Sequence, residues 1–81
     1  MDYVGLVEFL IKNIVKDPES VSIKQFESED NEIDIHILVA EDEIGAVIGK
    51  GGVVANAIRT IVQAASYVNE NKRVKINIDS F

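Results

Sequence analysis

Gly49-Lys50-Gly51-Gly52 is the segment whose residue types and spacing best suit it to hold a ligand. Glycine accepts positive φ and lets a foreign backbone come close. Three glycines around one lysine give a sharp, uncovered turn with a cation at its apex. The apolar run that begins at Val53 reads as a helix opening directly from this turn. The first N–H groups of such a helix lack intrahelical partners and carry the positive end of its dipole. A phosphate fits there, with Lys50 supplying a full charge.

Other glycine motifs match the spacing less well. A nucleotide-hydrolysing loop needs Gly, four residues, Gly-Lys and then Ser or Thr. Here three residues separate Gly45 from Gly49, and Gly51 stands where the magnesium-binding hydroxyl belongs. A dinucleotide fingerprint needs a glycine at the position of Val54 and a strand directly before the loop. A tight interhelical turn without a ligand is the plain alternative, although two glycines would serve for that.

Catalysis finds little material. Cys is absent, which removes thiolate chemistry and zinc-thiolate sites. His36 is the only histidine, on the expected wet side of a strand with Asp34 beside it. One His does not make a metal site with the usual ligand count. The carboxylates gather at 27–32 and at Glu41-Asp42-Glu43, where they read as solvated charge and as acids at a helix N-terminus. The expectation is a non-enzymatic protein with no cofactor and no metal.

The charge distribution says more than its total of −6. Residues 1–43 hold twelve acids against three bases, whereas residues 44–78 hold only Glu70 against Lys50, Arg59, Lys72, Arg73 and Lys75. The glycine loop thus sits in an acid-free zone of an acidic chain, as a specific anionic partner on one face would require. Two buried helices lacking charge of either sign would look the same. The basic cluster at 72–75 reads as protection of an edge strand. An apolar fraction of 47% is that of a globular chain, and 81 residues suit one domain, 1–81. The N-terminus lacks a basic leader region, and the apolar runs fall short of the ~18 residues of a membrane span. The expected compartment is the cytoplasm.

The elements that must position the loop follow from periodicity. Residues 3–16 read as an amphipathic helix with Val7, Leu10, Ile11 and Ile14 on one face, Asp2 as N-cap and a first turn weakened by Gly5. Residues 21–26 read as a short strand, and Ser28-Glu29-Asp30-Asn31 as a turn. Ile33, Ile35, Ile37 and Val39 alternate with Asp34 and His36, the clearest strand. A short helix at 43–48 leads to the loop. A long helix at 53–69 follows, its expected buried stripe being Val54, Ala57, Ile58, Ile61, Val62, Ala65 and Val68. Residues 73–79 give a third strand. The two-helix crossover is long enough for a parallel strand pair. The fold class is therefore an α/β (α+β) two-layer sandwich, with a mixed three-stranded sheet covered by three helices on one face.

Val47-Ile48-Gly49-Lys50-Gly51-Gly52 resembles the VIGxxG signature of KH domains, whose GxxG loop clamps the backbone of single-stranded nucleic acid. With Ala55-Asn56-Ala57-Ile58-Arg59 downstream, nearly the whole chain resembles the small bacterial stand-alone KH proteins of the KhpA type. The resemblance implies the type II KH order α-β-β-α-α-β and a single-stranded RNA ligand. It implies a backbone clamp at Gly49, Lys50, Gly51 and Gly52, and an apolar base groove. Ile44, Val47 and Ile48 would form one wall of that groove, and Ile58 with the strand at 33–39 the other. Arg59 would reach a phosphate or a base edge. The role implied is post-transcriptional regulation or RNA chaperoning, tied in some bacteria to cell elongation and division. Implied partners are a second copy or a larger multi-domain KH-type protein, with the helix–loop–helix as a possible contact.

The loop carries one charge, and Tyr3, Phe9, Phe26, Tyr67 and Phe81 all lie away from it. Base stacking, worth roughly 1–3 kcal/mol per base, is not expected there, and binding should be weak and sequence-tolerant. The strong acidity and Val53-Val54 after the loop favour the other reading. It is a protein-interaction or dimerisation module on the KH scaffold with little RNA affinity of its own.

Overall fold

The computed structural model describes residues 1–28 and 31–81. Its order is α1 (Tyr3–Lys12), β1 (Ser22–Glu27), β2 (Ile33–Val39), α2 (Ile44–Ile48), α3 (Val53–Asn69) and β3 (Val74–Ser80), with 3-10 turns at Pro18–Ser20 and Lys50–Gly52. The sheet order is β1-β2-β3. β1 and β2 form an antiparallel hairpin, with Lys24 opposite His36. β2 and β3 are parallel, with His36 beside Asn77. Glu29 and Asp30 of the expected turn lie outside the described residues. Beside them Asn31 takes φ 60°, and the Ser28 N–H donates to the Glu32 carbonyl at 3.2 Å.

The alternation of β2 sends Ile33, Ile35, Ile37 and Val39 into the core. There they meet Tyr3, Val7 and Ile11 of α1, Val47 of α2, Ile58 and Val62 of α3 and Ile76 of β3. All three helices share this one face of the sheet, and burial of this cluster is the main force holding the two layers together.

Helix α1 ends four residues earlier than its apolar period suggests. Asn13 caps it, its side-chain amide donating to the Phe9 carbonyl at 2.6 Å. The chain then turns so that Val15 still enters the core. Tertiary bonding decides the matter. The N–H groups of Lys16 and Asp17 donate to the two carboxylate oxygens of Glu43, at 2.6 and 3.0 Å. In a continuing helix they would have bonded backward along α1. Glu43 is therefore no solvated helix-end acid. It is buried, and it ties the segment after α1 to the start of α2.

The first turn of α1 is also better held than Gly5 suggests. Asp2 Oδ1 accepts from the Gly5 N–H at 2.9 Å, and a Cβ at Gly5 would collide with that same carboxylate. Tyr3 is sealed beneath the end of α3. Its hydroxyl approaches Glu70 and Ser66 without closing a full hydrogen bond to either. The approach to Glu70, with burial adding to it, holds the phenol above its ordinary pKa. The same approach lowers Glu70 against an opposing desolvation, with Lys72 and the N-terminal ammonium assisting.

Helix α3 is rotated relative to its expected stripe. Ala55, Ile58, Val62 and Ser66 are buried, whereas Ala57, Ile61 and Val68 face outward. Ser66 enters the core because its hydroxyl donates to the Lys72 carbonyl at 2.6 Å. Within Ile44–Asn69 an 18-residue window is apolar enough for a membrane span, with a mean hydropathy of 1.2. It is not one continuous helix, because the backbone breaks at Gly49 and turns left-handed at Gly51 and Gly52.

Replacing Glu43 with Ala strands two N–H groups. The expected outcome is a loss of roughly 2–3 kcal/mol of stability, read from urea denaturation, with Glu43→Gln recovering part of it.

Candidate nucleic-acid interface

The loop closes α2 against α3 at a distance that only glycine permits. Gly49 caps α2 with φ 78° and ψ 168°, its N–H donating to the Gly45 carbonyl at 2.9 Å. A Cβ built there would stand 2.8 Å from the backbone nitrogen of Val54 and 2.5 Å from its Cγ2. Gly51 (φ 64°) and Gly52 (φ 82°) then turn left-handed. A Cβ on Gly51 would meet nothing within 4 Å. Gly49 is thus fixed by packing, whereas Gly51 lies open to solvent and to any ligand backbone.

Backbone hydrogen bonds inside the loop run from Gly52 to Gly49 and from Val53 to Lys50. The N–H groups of Lys50 and Gly51 take no part in them. Lys50 is exposed and makes no ion pair among the described residues; the cations that do are Lys12, Lys72 and Lys75. Free N–H groups, a free ammonium and the N-terminus of a 17-residue helix converge on one spot. That arrangement stabilises an oxyanion. The acid nearest in sequence, Glu43, spends both oxygens on Lys16 and Asp17.

The other expected site residues divide. Ile44 and Ile48 are half-buried on one side of α2, beside the loop. Val47 is fully buried and supports α2 from beneath. Gly45 and Ala46 face outward instead, a small-residue surface that a five-residue helix is too short to reveal through its period. Ile58 and the apolar side of β2 lie within the core. β3 is an edge strand of the sheet, and both α2 and α3 pack on it.

Arg59 lies on that edge. Its guanidinium donates to the Ile76 carbonyl and to Asn56 Oδ1, both at 3.3 Å. One helical turn on, Gln63 accepts from the Val74 N–H and donates to the Lys72 carbonyl, both at 2.9 Å. These two side chains dock α3 onto β3. Sequence reasoning had no signal for the role of Gln63, because an amide on a polar helix face looks solvated. Lys72 and Lys75 make partly exposed pairs with Glu70 and Glu32, each at 3.6 Å.

Comparison with known proteins follows this geometry closely. A family model described as "KhpA/KhpB, KH domain" matches residues 5–78. The chain is similar to the RNA-binding protein KhpA of Clostridium perfringens, with 41% identity over 90% of this chain and 95% of that protein. It is also similar to the RNA-binding protein KhpA of Oceanobacillus iheyensis, with 40% identity over 91% and 96%. In fold it resembles part of Era, solved in complex with MgGDPNP and nucleotides 1506–1542 of 16S ribosomal RNA. The TM-score is 0.70 at 18% identity, covering 96% of this chain and 29% of that one.

The two kinds of glycine should separate in a stability assay. Gly51→Ala is expected to cost about 1 kcal/mol, the penalty of a left-handed residue in open space. Gly49→Ala adds a backbone clash and is expected to cost roughly 3 kcal/mol, read as a larger fall in urea midpoint.

Proposed function

Because the chain belongs to the KhpA/KhpB KH-domain family, we propose that it binds single-stranded RNA without catalysing a reaction. In this reading Gly49–Gly52 clamps the sugar-phosphate backbone, and the protein acts in post-transcriptional control or as an RNA chaperone in the cytoplasm. The observation that carries it is the convergence on an open loop of free N–H groups, the α3 N-terminus and Lys50, which has no ion pair among the described residues. Gly51 and Gly52 let a phosphate approach the backbone directly. Ile44, Ile48, Gly45 and Ala46 offer bases a shallow apolar surface beside it, and Arg59 is docked on β3. The curated relatives are named for RNA binding, which favours RNA over other polyanions.

A second surface supports self-association. Val53 is 62% exposed, Ile61 45% and Val68 85%, with Ala57, Ala64 and Tyr67 exposed among them. Ala57, Ile61, Ala64 and Val68 follow a 4-3-4 spacing, that of a helix seam meeting another helix. No charged residue interrupts this line, so a second copy can meet it without like-charge repulsion. The stripe runs from the loop down a helix that rises about 1.5 Å per residue. A contact centred on Ile61 and Ala64 leaves the loop free, so clamping and pairing need not compete. The same seam suits a larger KH-type partner.

Fluorescence anisotropy with short single-stranded RNA tests the first reading. Lys50→Asp with Gly51→Asp should fold normally, since Asp tolerates the left-handed region. It should lose binding at least tenfold, while wild type shows a salt slope of about −0.7 per neutralised phosphate. Equal binding by both proteins would remove the loop from the mechanism. For the seam, Ile61→Asp should convert a dimer to a monomer in sedimentation equilibrium with its helical content retained.

A further inference from the structure

Helices cover one side of the sheet, and the other side carries a cup of about 430 Å³. The register fixes its walls. Lys24, His36 and Asn77 stand in one row across the three strands, with Phe26, Asp34 and Lys75 on one side and Ser22, Leu38 and Asp79 on the other. The rings of Phe26 and His36 meet edge to face, their centroids 5.1 Å apart. Phe26 is 49% exposed, and Leu38 beside His36 is also open. An aromatic pair and a leucine at the centre of an uncovered sheet face leave apolar surface in water without a partner.

We infer that this cup is a second RNA-contact site, taking a base of the same strand that the loop holds by its backbone. The inference rests on the RNA-binding reading above. Its physical case lies in the mixture of groups. Flat π-surface occupies the middle, and hydrogen-bonding side chains ring it: the Ser22 hydroxyl, the Lys24 ammonium, the Asn77 amide and the Asp79 carboxylate. An apolar protein segment would desolvate these and leave them unpaired, at a cost for each. A nucleobase has a face to stack and an edge of donors and acceptors to pair.

The charges orient it. Lys24 has no ion-pair partner among the described residues, whereas Asp79 lies across the sheet on β3 and spends one oxygen on the Ser80 N–H at 2.8 Å. Asp34 is the register neighbour of Lys75, whose ammonium pairs instead with Glu32 at 3.6 Å. The phosphate therefore belongs on the Lys24 side and the base edge on the Asn77 side. Strand β3 joins the two sites. Ile76 and Ile78 face the helix layer, Asn77 and Asp79 face the cup, and α2 packs on the same strand.

The experiment compares a four-nucleotide and a twelve-nucleotide single-stranded RNA by anisotropy. It uses wild type, Phe26→Ala, Lys24→Glu and the Lys50→Asp/Gly51→Asp protein, with folding checked by circular dichroism. Phe26→Ala and Lys24→Glu should each weaken the twelve-mer by about fivefold or more and leave the four-mer unchanged. Photocrosslinking of the twelve-mer should mark Phe26 or His36 in addition to the loop. Unchanged twelve-mer affinity in both cup variants, with binding lost in the loop variant, overturns the second site and leaves the clamp standing. A change in self-association on Phe26→Ala, with RNA affinity unmoved, assigns the cup to a protein surface and also overturns it. Failure of wild type to bind either RNA overturns the functional reading and this one together.

Discussion

The space that a side chain at position 49 would need is already taken by the backbone of Val54, and the architecture of the turn from α2 to α3 follows from that contact. With no Cβ between them, α2 can end where α3 begins, and the chain reverses within three residues. The N-terminus of α3 is then presented at the surface beside the end of a second helix. The loop does not rest on the glycine alone. Glu43, one residue ahead of α2, holds the connection after α1 with both oxygens, so the short helix is fixed at its start by a carboxylate and at its end by a steric limit. A helix of five residues has too few hydrogen bonds to persist alone. These two anchors and the burial of Val47 take the place of length.

Electrostatics and packing meet at the same residue. The acid-free interval of the sequence opens directly after Glu43, and Glu43 itself is withdrawn from the surface. The acidity of the chain is thereby kept away from the stretch that holds the loop. One lysine at the loop then suffices to set the local sign, although the whole molecule is anionic. Long-range repulsion of any polyanion remains, and salt screens it over roughly 10 Å. Attachment to such a protein depends on short-range hydrogen bonds and steric access more than on net charge.

How far the sequence could be read depended on whether one force acted alone. β2 was legible to the residue because strict alternation has no competing interpretation, and α3 was legible in extent because Gly52 and the polar run at 69–72 bound it. The rotation of α3 was not. Valine, isoleucine and alanine lie on both sides of it, so a hydrophobic stripe can be drawn through either, and the sheet buries the one that includes Ser66. The end of α1 was missed because the apolar period runs on through Ile14 and Val15 while the hydrogen bonds are diverted to a carboxylate 27 residues away. At the candidate site, the glycine pattern marked the turn between α2 and α3. The docking of Arg59 and Gln63 onto β3 stayed hidden, since no local pattern connects them to that strand. Phe26 and His36 were visible as residues, but their meeting across the hairpin depends on the register.

The side-chain amide of Gln63 offers β3 one donor and one acceptor, the same pair that a neighbouring strand would present. It occupies the Val74 N–H and the Lys72 carbonyl, while Arg59 takes the carbonyl of Ile76. A small sheet has two free borders, and each is an invitation to pair with another chain. Here one border is closed over its first residues by a helix of the same molecule that imitates a strand, so fibrillar stacking through β3 is blocked without any added element. The opposite border, β1, carries exposed Lys24, Gln25 and Glu27 and is defended by solvation alone. The protein therefore resists edge-to-edge aggregation by two unlike means, and the weaker of them guards the hairpin.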